Sequence, residues 1–376
     1  MDIRPIANEV WLNLHERRAT VDIAQSSVSA MGYGELVSLD GEHGARIRAS
    51  IEAARQDYGW IEGSPGFKGA VARLYEREVD PSLILQENGA TGGNRDALVS
   101  LVDPGDHVVC EWPTYQPLWE IPRALGATVD LWGLRCDGSR WTAPIEALER
   151  LVTPRTKLIC INNAANPTGA VLDRAELEAV ADIARTVGAY VLSDEVYLPV
   201  AQDRGYVSMA DVYERAVVTN SLSKSFSVPG LRVGWTVAPA EVSERIRALR
   251  DYTLICAGVE NDLLGTLVLE HADEVLGRNR AIISARAEVV EEWLARTPRA
   301  SWCAPDGVPV SYLSLDLPEG VDDKGFCLDL LDSKGLLLIP GSCFDLPGGV
   351  RLGYCCPEEE LGRGLELLGE GLAELP

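Results

Sequence analysis

Short apolar runs rich in β-branched residues recur through the middle of this chain, and longer stretches of helical periodicity separate them. The runs are HVVCEW (107–112), TVDLWGL (128–134), KLICIN (157–162), AYVLS (189–193), AVVTN (216–220) and RVGWTVA (232–238). One helical stretch, 174–187, is followed by Gly188, a residue typical of helix C-caps. Apolar strands that alternate with helices predict an α/β fold with a parallel sheet covered on both faces. Ligands of such sheets bind at the carboxyl ends of the strands.

The length of 376 residues exceeds what a single core usually supports, which predicts a large and a small domain. After about residue 263 the pattern changes to long helical periodicity over 263–294, interrupted at Gly277. Short strands and a final amphipathic helix over 357–372 follow, as in a smaller α+β unit. The expected division is an N-terminal arm that joins the small domain (1–45), a large domain (46–262) and a small C-terminal domain (263–376).

The balance of charge limits the partners of the chain. Acidic residues number 57 against 34 basic ones, and a net charge of −23 repels nucleic acid and anionic membranes. No stretch approaches the roughly 18 apolar residues of a membrane span. The N-terminus carries charges where a signal peptide needs an apolar core. We therefore expect neither nucleic-acid nor membrane partners.

Nine cysteines are scattered along the chain without a C-x-x-C pair. This pattern is typical neither of a disulfide framework nor of a zinc site, so we expect no metal. It favours a reducing compartment, and the expected location is cytoplasmic.

The segment SLSKSFSVPGLRVGW (221–235) places Lys224 just past a predicted strand end and eight residues before Arg232. A lysine amine becomes a useful nucleophile when it is desolvated or lies near another cation, because either lowers its pKa. Ser221 and Arg232 are groups that hold phosphate, the arginine through two parallel hydrogen bonds. A lone loop lysine is more often a solvated surface residue. The segment as a whole favours a site over that alternative.

Two further motifs follow predicted strands. In SDEVY (193–197), Asp194 is a carboxylate that can pair with a protonated ring nitrogen, and Tyr197 can hydrogen-bond a ring oxygen. In NNAANPTGAVLD (162–173), Asn166 is an amide donor for the same oxygen. The alternatives are an N-cap aspartate, a packing tyrosine and a turn asparagine. The N-P-T-G sequence after a buried strand is more specific than any one of these residues.

Four other segments carry candidate residues. Ala90 and Thr91 lie in GATGGNRDAL (89–98), a small-residue turn that opens a helix and suits phosphate. Tyr115 in WPTYQPL is placed to stack on a flat ring, and Tyr58 in YGWIEGSPGF offers a hydroxyl to phosphate. Arg351 in VRLGYCCP is a clamp for a substrate carboxylate. The alternatives are an ordinary helix start, a core tyrosine, a loop tyrosine and a surface arginine.

These motifs, in this order, resemble the class I/II aminotransferase superfamily of fold-type I enzymes that use pyridoxal 5′-phosphate (PLP), from about Tyr58 to the C-terminus. The resemblance implies a mostly parallel seven-stranded sheet between helices, plus a smaller α+β domain. It implies Lys224 as the Schiff-base lysine and Asp194 as the partner of the pyridine nitrogen. The other implied roles are Asn166 and Tyr197 on the ring oxygen, Ala90, Thr91, Ser221 and Arg232 on the phosphate, Tyr115 on the ring face, Arg351 on the substrate carboxylate, and Tyr58 on the phosphate of the neighbouring subunit. The last role implies a homodimer.

A narrower similarity concerns four segments. TVDIAQSSVSAMGYGEL (20–36), SLSKSFSVPGLRVGW (221–235) and GYCCPEEELGRGLELL (353–368) are similar to capreomycidine synthase-like members, and NGATGGNRDAL (88–98) to 1-aminocyclopropane-1-carboxylate synthases. Ordinary aminotransferases usually have a glycine-containing substrate loop where this chain has QSSVSAMGYGEL. The departure leaves the substrate, any second cosubstrate and the role of 20–36 open.

The resemblance implies an enzyme that acts on an α-amino acid through external aldimine and quinonoid intermediates, with Lys224 as the base. We expect an aminotransferase. The alternative is a biosynthetic enzyme that catalyses β- or γ-elimination, replacement or cyclisation, capreomycidine synthase-like or using S-adenosylmethionine. A more remote alternative is a PLP-sensing regulator, which the acidity of the chain and the absence of room for a DNA-binding domain before Tyr58 disfavour.

Overall fold

The computed structural model describes residues 2–41 and 44–376. In these ranges the strands are β1 Val21–Asp22, β2 Ile84–Glu87, β3 His107–Trp112, β4 Thr128–Gly133, β5 Arg135–Cys136, β6 Trp141–Thr142, β7 Thr156–Asn162, β8 Tyr190–Asp194, β9 Ala216–Ser221, β10 Gly234–Val237, β11 Ala300–Trp302, β12 Val310–Leu315, β13 Leu336–Leu337, β14 Ile339–Pro340 and β15 Gly349–Gly353. The helices are α1 Ala7–His15, α2 Tyr33–Ser38, α3 Ala45–Ala53, α4 Pro65–Ala72, α5 Gly89–Leu101, α6 Pro117–Leu125, α7 Ile145–Leu151, α8 Arg174–Val187, α9 Leu198–Ala201, α10 Met209–Val212, α11 Ala240–Thr253, α12 Val259–Glu270, α13 Ala272–Leu294, α14 Asp323–Lys334 and α15 Glu358–Glu374.

The centre of the molecule is a seven-stranded sheet with the order β2-β10-β9-β8-β7-β3-β4. Only β10 runs antiparallel to its two neighbours, and the other pairs are parallel. Each of the six apolar runs of the sequence forms one of these strands. The mostly parallel α/β sheet of a fold-type I enzyme is therefore confirmed.

Both faces of the sheet are buried because its strands are apolar on both sides. In β7, Leu158 and Cys160 belong to one core and Ile159 and Ile161 to the other, as the two-residue period of a strand requires. Helices α5, α6 and α11 cover the first core, and α8 packs on the second. Helix α8 begins with a capping box at Asp173 and ends at Gly188 in the left-handed conformation, as its sequence predicts.

The C-terminal part of the chain forms a four-stranded antiparallel sheet, β11-β12-β15-β14, packed with α13, α14 and α15. The N-terminal arm joins it, because β1 pairs in parallel with β13 and Trp11 Nε1 donates a hydrogen bond of 2.8 Å to Leu338 O. The division into domains at residues 45 and 262 stays a prediction.

One detail of the predicted helices is wrong. The sequence pattern placed a break at Gly277, but α13 runs through this residue without interruption, and the chain breaks at His271 between α12 and α13. A glycine inside a long helix costs only about 1 kcal/mol, which tertiary packing overrides. Within residues 2–41 and 44–376, no helix combines the length and the apolar composition that crossing a bilayer requires.

A disulfide corrects the interpretation of the cysteines. Cys136, on the β5–β6 hairpin, is bonded to Cys303, just after β11. The two residues are 167 positions apart, so their spacing in the sequence holds no sign of the pair. The other seven cysteines are free. The cytoplasmic location, which rested partly on the cysteine pattern, stays a prediction.

Candidate active site

A cavity of about 490 Å³ opens where three central strands end. The last residues of β7, β8 and β9, which are Asn162, Asp194 and Ser221, all line it. Ten of the eleven residues proposed from the sequence meet in this cavity: Ala90, Thr91, Tyr115, Asn166, Asp194, Tyr197, Ser221, Lys224, Arg232 and Arg351. The exception is Tyr58, which is 66 % exposed and lies outside it. The carboxyl edge of the sheet therefore assembles the site, as the fold requires.

Lys224 lies in the cavity three residues after the end of β9. Its Nζ donates a hydrogen bond of 2.6 Å to Ser26 Oγ. Burial, helped by the Arg351 guanidinium, lowers the pKa of Lys224 to about 8. A larger fraction of the amine is therefore neutral at pH 7 than in an exposed lysine, which makes it both a nucleophile and a base.

Asp194 ends β8 and is buried. Its Oδ2 accepts a hydrogen bond of 2.6 Å from Asn94 Nδ2, and its Oδ1 accepts one of 3.3 Å from Val196 N. Burial raises the pKa of Asp194 to about 6, so the carboxylate is still mostly charged at pH 7. No described basic side chain lies within ion-pair distance of Asp194. A buried charge held only by neutral donors suits a cationic partner such as a protonated ring nitrogen.

Asn94 was missed in the sequence, although it lies in the small-residue segment that was singled out. It is fully buried on α5, and its Oδ1 accepts a hydrogen bond of 2.6 Å from Thr219 Oγ1. That bond orients the amide so that its nitrogen faces Asp194. A polar residue directly after the five small residues that begin the helix was the available signal.

The start of α5 forms the anion-binding end of the cavity. The N-cap residue Asn88 makes no side-chain cap, and the first turn holds no acidic residue. The positive end of the helix is therefore open to an anion. Ala90 and Thr91 of this turn line the cavity together with Ser221 and Arg232. Backbone amides, hydroxyls and one guanidinium form the donor set that a phosphate needs.

Two glycines allow this end of the site to form. Gly89 has a φ of +69°, and a Cβ at this position would lie 2.6 Å from Arg232 Nη2. A Cβ at Gly234 would lie 2.5 Å from the Gly89 carbonyl carbon and 2.8 Å from Ala90 N. Strand β10 thus approaches the first turn of α5 more closely than any side chain permits.

Three polar residues surround the position expected for the cofactor ring. Tyr115 Oη lies 3.3 Å from Thr91 Oγ1. Burial raises the pKa of Tyr197 to about 12, so this phenol keeps its proton and can donate it in a hydrogen bond. Asn166 N donates a hydrogen bond of 2.9 Å to Asn162 Oδ1, which fixes the turn after β7.

Arg351 is a buried cation with neutral partners. Its Nη2 donates to Ala24 O at 2.7 Å and its Nη1 to Asn166 Oδ1 at 3.2 Å, while Nε has no partner. No described carboxylate lies within ion-pair distance of it, and burial lowers the pKa of Arg351. Leaving a buried charge unpaired costs several kcal/mol, and a carboxylate that enters the cavity removes that cost. Arg351 is therefore suited to bind the carboxylate of an amino acid.

The N-terminal arm supplies a wall of the cavity that sequence patterns did not identify. Asn8 and Glu9 of α1 and Gln25 and Ser26 after β1 line the cavity. The loop 20–36 was noted for its departure from ordinary aminotransferases, but none of its residues received a role. No local pattern marks these four residues, because their positions depend on contacts with distant parts of the chain.

Residues 42–368 match the family model described as aminotransferase class I and II. The chain belongs to this family. It is 28 % identical to capreomycidine synthase of Streptomyces vinaceus over 97 % of this chain and 92 % of that protein.

Two solved structures are similar over nearly their whole length. One is a PLP-dependent aminotransferase from Streptococcus suis 89-1591, with 43 % identity, a TM-score of 0.94, and coverage of 100 % of this chain and 99 % of that one. The other is the PLP-dependent cyclase OrfR, with 28 % identity, a TM-score of 0.86, and coverage of 100 % and 98 %. The protein is therefore a PLP-dependent enzyme of amino-acid chemistry, an aminotransferase or a related cyclase.

The residues of the cavity fit this cofactor. The open start of α5 with Arg232 suits its phosphate, the buried Asp194 carboxylate suits its ring nitrogen, and the Lys224 amine suits its aldehyde. Arg351, a cation on the cavity wall without a carboxylate partner among the described residues, suits the substrate's carboxylate.

Proposed function

We propose that this protein is an aminotransferase of an α-amino acid in which Lys224 attaches the cofactor and moves the substrate's α-proton. One observation carries the proposal: the Lys224 amine, the Asp194 carboxylate and the Arg351 guanidinium line the same cavity. A nucleophilic amine, an anion for a cationic ring and a cation for a carboxylate are the three groups that this chemistry needs.

When bound, PLP supplies an aldehyde that condenses with amines and a ring that accepts electron density from the substrate's α-carbon. Lys224 would attach it, and Asp194 would keep the ring nitrogen protonated. Asn166 and Tyr197 would donate to the ring oxygen, and Tyr115 would lie on the ring face. The phosphate would be held by Ala90, Thr91, Ser221 and Arg232.

Each of three side chains then has one task. Arg351 binds the α-carboxylate of the substrate and so orients its α-carbon. Lys224 Nζ takes the α-proton, because the pKa of about 8 leaves part of the amine neutral at physiological pH. Asp194 stays charged through the proton transfer, since its pKa of about 6 lies below that pH.

A homodimer is a further part of the proposal. Tyr58, Trp60 and Ile61 are 66 %, 58 % and 44 % exposed, and three large apolar side chains so close together favour a protein contact. Family resemblance assigns Tyr58 to the site of a second subunit. Sedimentation of the purified protein should give twice the mass of one chain. A stable, active monomer would contradict this part.

We also propose a cytoplasmic location, which the seven free cysteines support. Fractionation of the source cells with an antibody against the protein checks it, and recovery in an extracellular fraction would overturn it.

Elimination or cyclisation is a second candidate, because the capreomycidine synthase match extends over 97 % of this chain and includes the loop 20–36. Lys224 and Asp194 serve both reactions, since each begins with removal of the α-proton. The reactions differ in the fate of the amino group. Transamination passes the nitrogen to a 2-oxo acid, cyclisation keeps it in the product, and elimination followed by hydrolysis releases it as ammonium.

The experiment follows that nitrogen. The enzyme with PLP is incubated with α-¹⁵N-labelled amino acids of acidic, neutral and basic side chain, with and without pyruvate or 2-oxoglutarate, and the products are identified by mass spectrometry. Transfer of ¹⁵N to alanine or glutamate, dependent on the oxo acid, is the expected result. A product that keeps its own ¹⁵N and forms without an oxo acid would instead establish the second candidate.

A further inference from the structure

The segment 23–29 crosses the cavity between the two parts of the chain. Ala24 O accepts a hydrogen bond from Arg351, while Ser29 donates through both N and Oγ to Cys355 O. The backbone between these anchors is held at both ends by the C-terminal part of the chain. Ser26, between them, therefore has a fixed position and points into the cavity.

Ser26 contacts the reactive lysine directly. Its Oγ accepts the 2.6 Å hydrogen bond from Lys224 Nζ, and its residue is only 9 % exposed. Among the described residues, Ser26 Oγ is the hydrogen-bond partner of Lys224 Nζ. Tyr197 lines the same cavity, and the Ser26 hydroxyl lowers the pKa of that phenol, against the larger effect of burial.

We propose that Ser26 is a positioning residue whose hydroxyl sets the direction and the proton of the Lys224 amine. A serine hydroxyl has one proton to donate and two lone pairs to accept with. It can therefore accept the hydrogen bond from Lys224 Nζ whether the amine is charged or neutral. An alanine at this position cannot.

The sign of the effect follows from the groups that face Lys224. Arg351 and Arg232 favour the neutral amine, whereas Glu9 and Asp194 favour the ammonium ion. The Ser26 oxygen accepts a hydrogen bond from the ammonium ion and so also favours it. Removing the hydroxyl should therefore shift Lys224 towards the neutral form and leave its nitrogen without a fixed direction.

The hydrogen bond between Ser26 and Lys224 does not depend on the proposed function, but its effect on catalysis rests on that function. The two can be tested apart, because the proton affinity of Lys224 is measurable in the full chain before PLP is added. Labelling with acetic anhydride over a range of pH, followed by mass spectrometry of the peptide that contains Lys224, reports the fraction of neutral amine.

Four proteins are compared: wild type, Ser26→Ala, Ser26→Thr and Ser27→Ala. Ser27 is the matched control, because it is the neighbouring hydroxyl and does not line the cavity. In Ser26→Ala the labelling midpoint should move to lower pH by about one unit, as expected for loss of a hydrogen bond to a charged group. Ser26→Thr keeps the hydroxyl and should restore the midpoint, and Ser27→Ala should leave it unchanged.

The loaded enzyme gives a second readout. In Ser26→Ala the pH profile of kcat/KM should move in the same direction as the labelling midpoint, with a fall in kcat of about tenfold and a smaller change in KM. An unchanged midpoint in a folded Ser26→Ala protein would overturn the positioning role. Should that variant not fold, Ser26→Cys, with a weaker acceptor, is judged by the same criterion. If Ser26→Ala shifts the midpoint but a separate Lys224→Ala variant still attaches PLP, the proposed function is refuted and the positioning role stands.

Discussion

The cavity has two sides of different origin. The strand-end half consists of Tyr115, Asn162, Asp194, Ser221 and Lys224, which lie at or just past the ends of β3, β7, β8 and β9. The arm half consists of Asn8, Glu9, Gln25 and Ser26. In the first half, sheet pairing sets residues side by side, as with Asn162 and Asp194. In the second, contacts such as that between Ser26 and Lys224 join residues 198 positions apart.

The two sides differ in whether the fold as a whole or this particular chain determines their residues. Any sequence that forms this sheet brings its strand ends together, so the groups for cofactor chemistry are tied to the fold itself. The arm contacts the site through Ser26 and Ala24, which bond to Lys224 and Arg351, and it adds no strand to the seven-stranded sheet. We infer that the strand-end half carries the common reaction and the arm half adjusts it.

The largest effect should come from the strand-end half. Lys224→Ala removes both the nucleophile and the base, so turnover should fall by about 10²- to 10⁴-fold or more. Borohydride reduction followed by peptide mass spectrometry should find PLP on Lys224 in the wild type and none in the variant. Lys324→Ala, an exposed lysine of α14, is the control and should attach PLP normally. A trapped adduct on another lysine of the Lys224 variant would show that Lys224 is not the residue that attaches PLP.

The next largest effect tests the Asp194 carboxylate, which we assign to the ring nitrogen. Asp194→Asn removes the charge and should lower kcat by about 10- to 100-fold, the value of a hydrogen bond to a charged group. Near-normal turnover of this variant would contradict the proposal that Asp194 keeps the ring nitrogen protonated.

Asn94→Ala tests the same carboxylate more mildly, because it should change the pKa of Asp194 without removing the carboxyl group. The Asn94 amide lowers the pKa of Asp194 against the effect of burial, so its loss should raise that pKa. Wild-type kcat/KM should fall with acid below about pH 6, and the variant should lose activity at higher pH than the wild type. If the kcat/KM–pH profiles of wild type and variant coincide, the ionisation of Asp194 does not cause the loss of activity at low pH.

Arg351 contacts the neighbours of both halves, because it donates to Asn166, in the turn after β7, and to Ala24, next to Gln25. Arg351→Lys keeps the charge but loses the paired hydrogen bonds to a carboxylate, so KM should rise about tenfold while kcat changes less. Arg363→Lys on α15 is the control, since Arg363 pairs with Glu366 at the surface. An unchanged KM for Arg351→Lys would argue against the carboxylate clamp.

The smallest effect should come from Glu9 of the arm half. Glu9 lies on the cavity wall and favours the charged forms of Lys224 and Arg351. Glu9→Gln should therefore change the ratio of kcat/KM for basic and acidic amino acids by about two- to threefold, against basic ones, because an exposed charge is screened by water and salt. Glu52→Gln on α3 is the control. A change of a hundredfold would mean that the arm dominates substrate choice, contrary to the comparison made above.

The sequence allowed prediction of the sheet and most of the strand-end half for a physical reason. Apolar runs mark buried strands, and the polar residues after each run must lie at one edge of the sheet. The arm half could not be predicted in this way. Ser26 and Asn8 are ordinary polar residues in their local sequence, and hydrogen bonds to distant residues such as Leu338, Cys355 and Gln116 hold their segments at the cavity. The Cys136–Cys303 bond escaped prediction for the same reason.

The contact between Arg351 and Ala24 has a consequence for the order in which the protein is made. Arg351 is synthesised 327 residues after Ala24, which at ribosomal speed is roughly 15 to 65 s later. During that interval the large sheet can form and the Lys224 segment emerges, but the guanidinium that receives a substrate does not yet exist. A nascent chain can therefore acquire its sheet, and even its cofactor, well before it can hold an amino acid. The reactive centre becomes complete only as the last strands of the small sheet leave the ribosome.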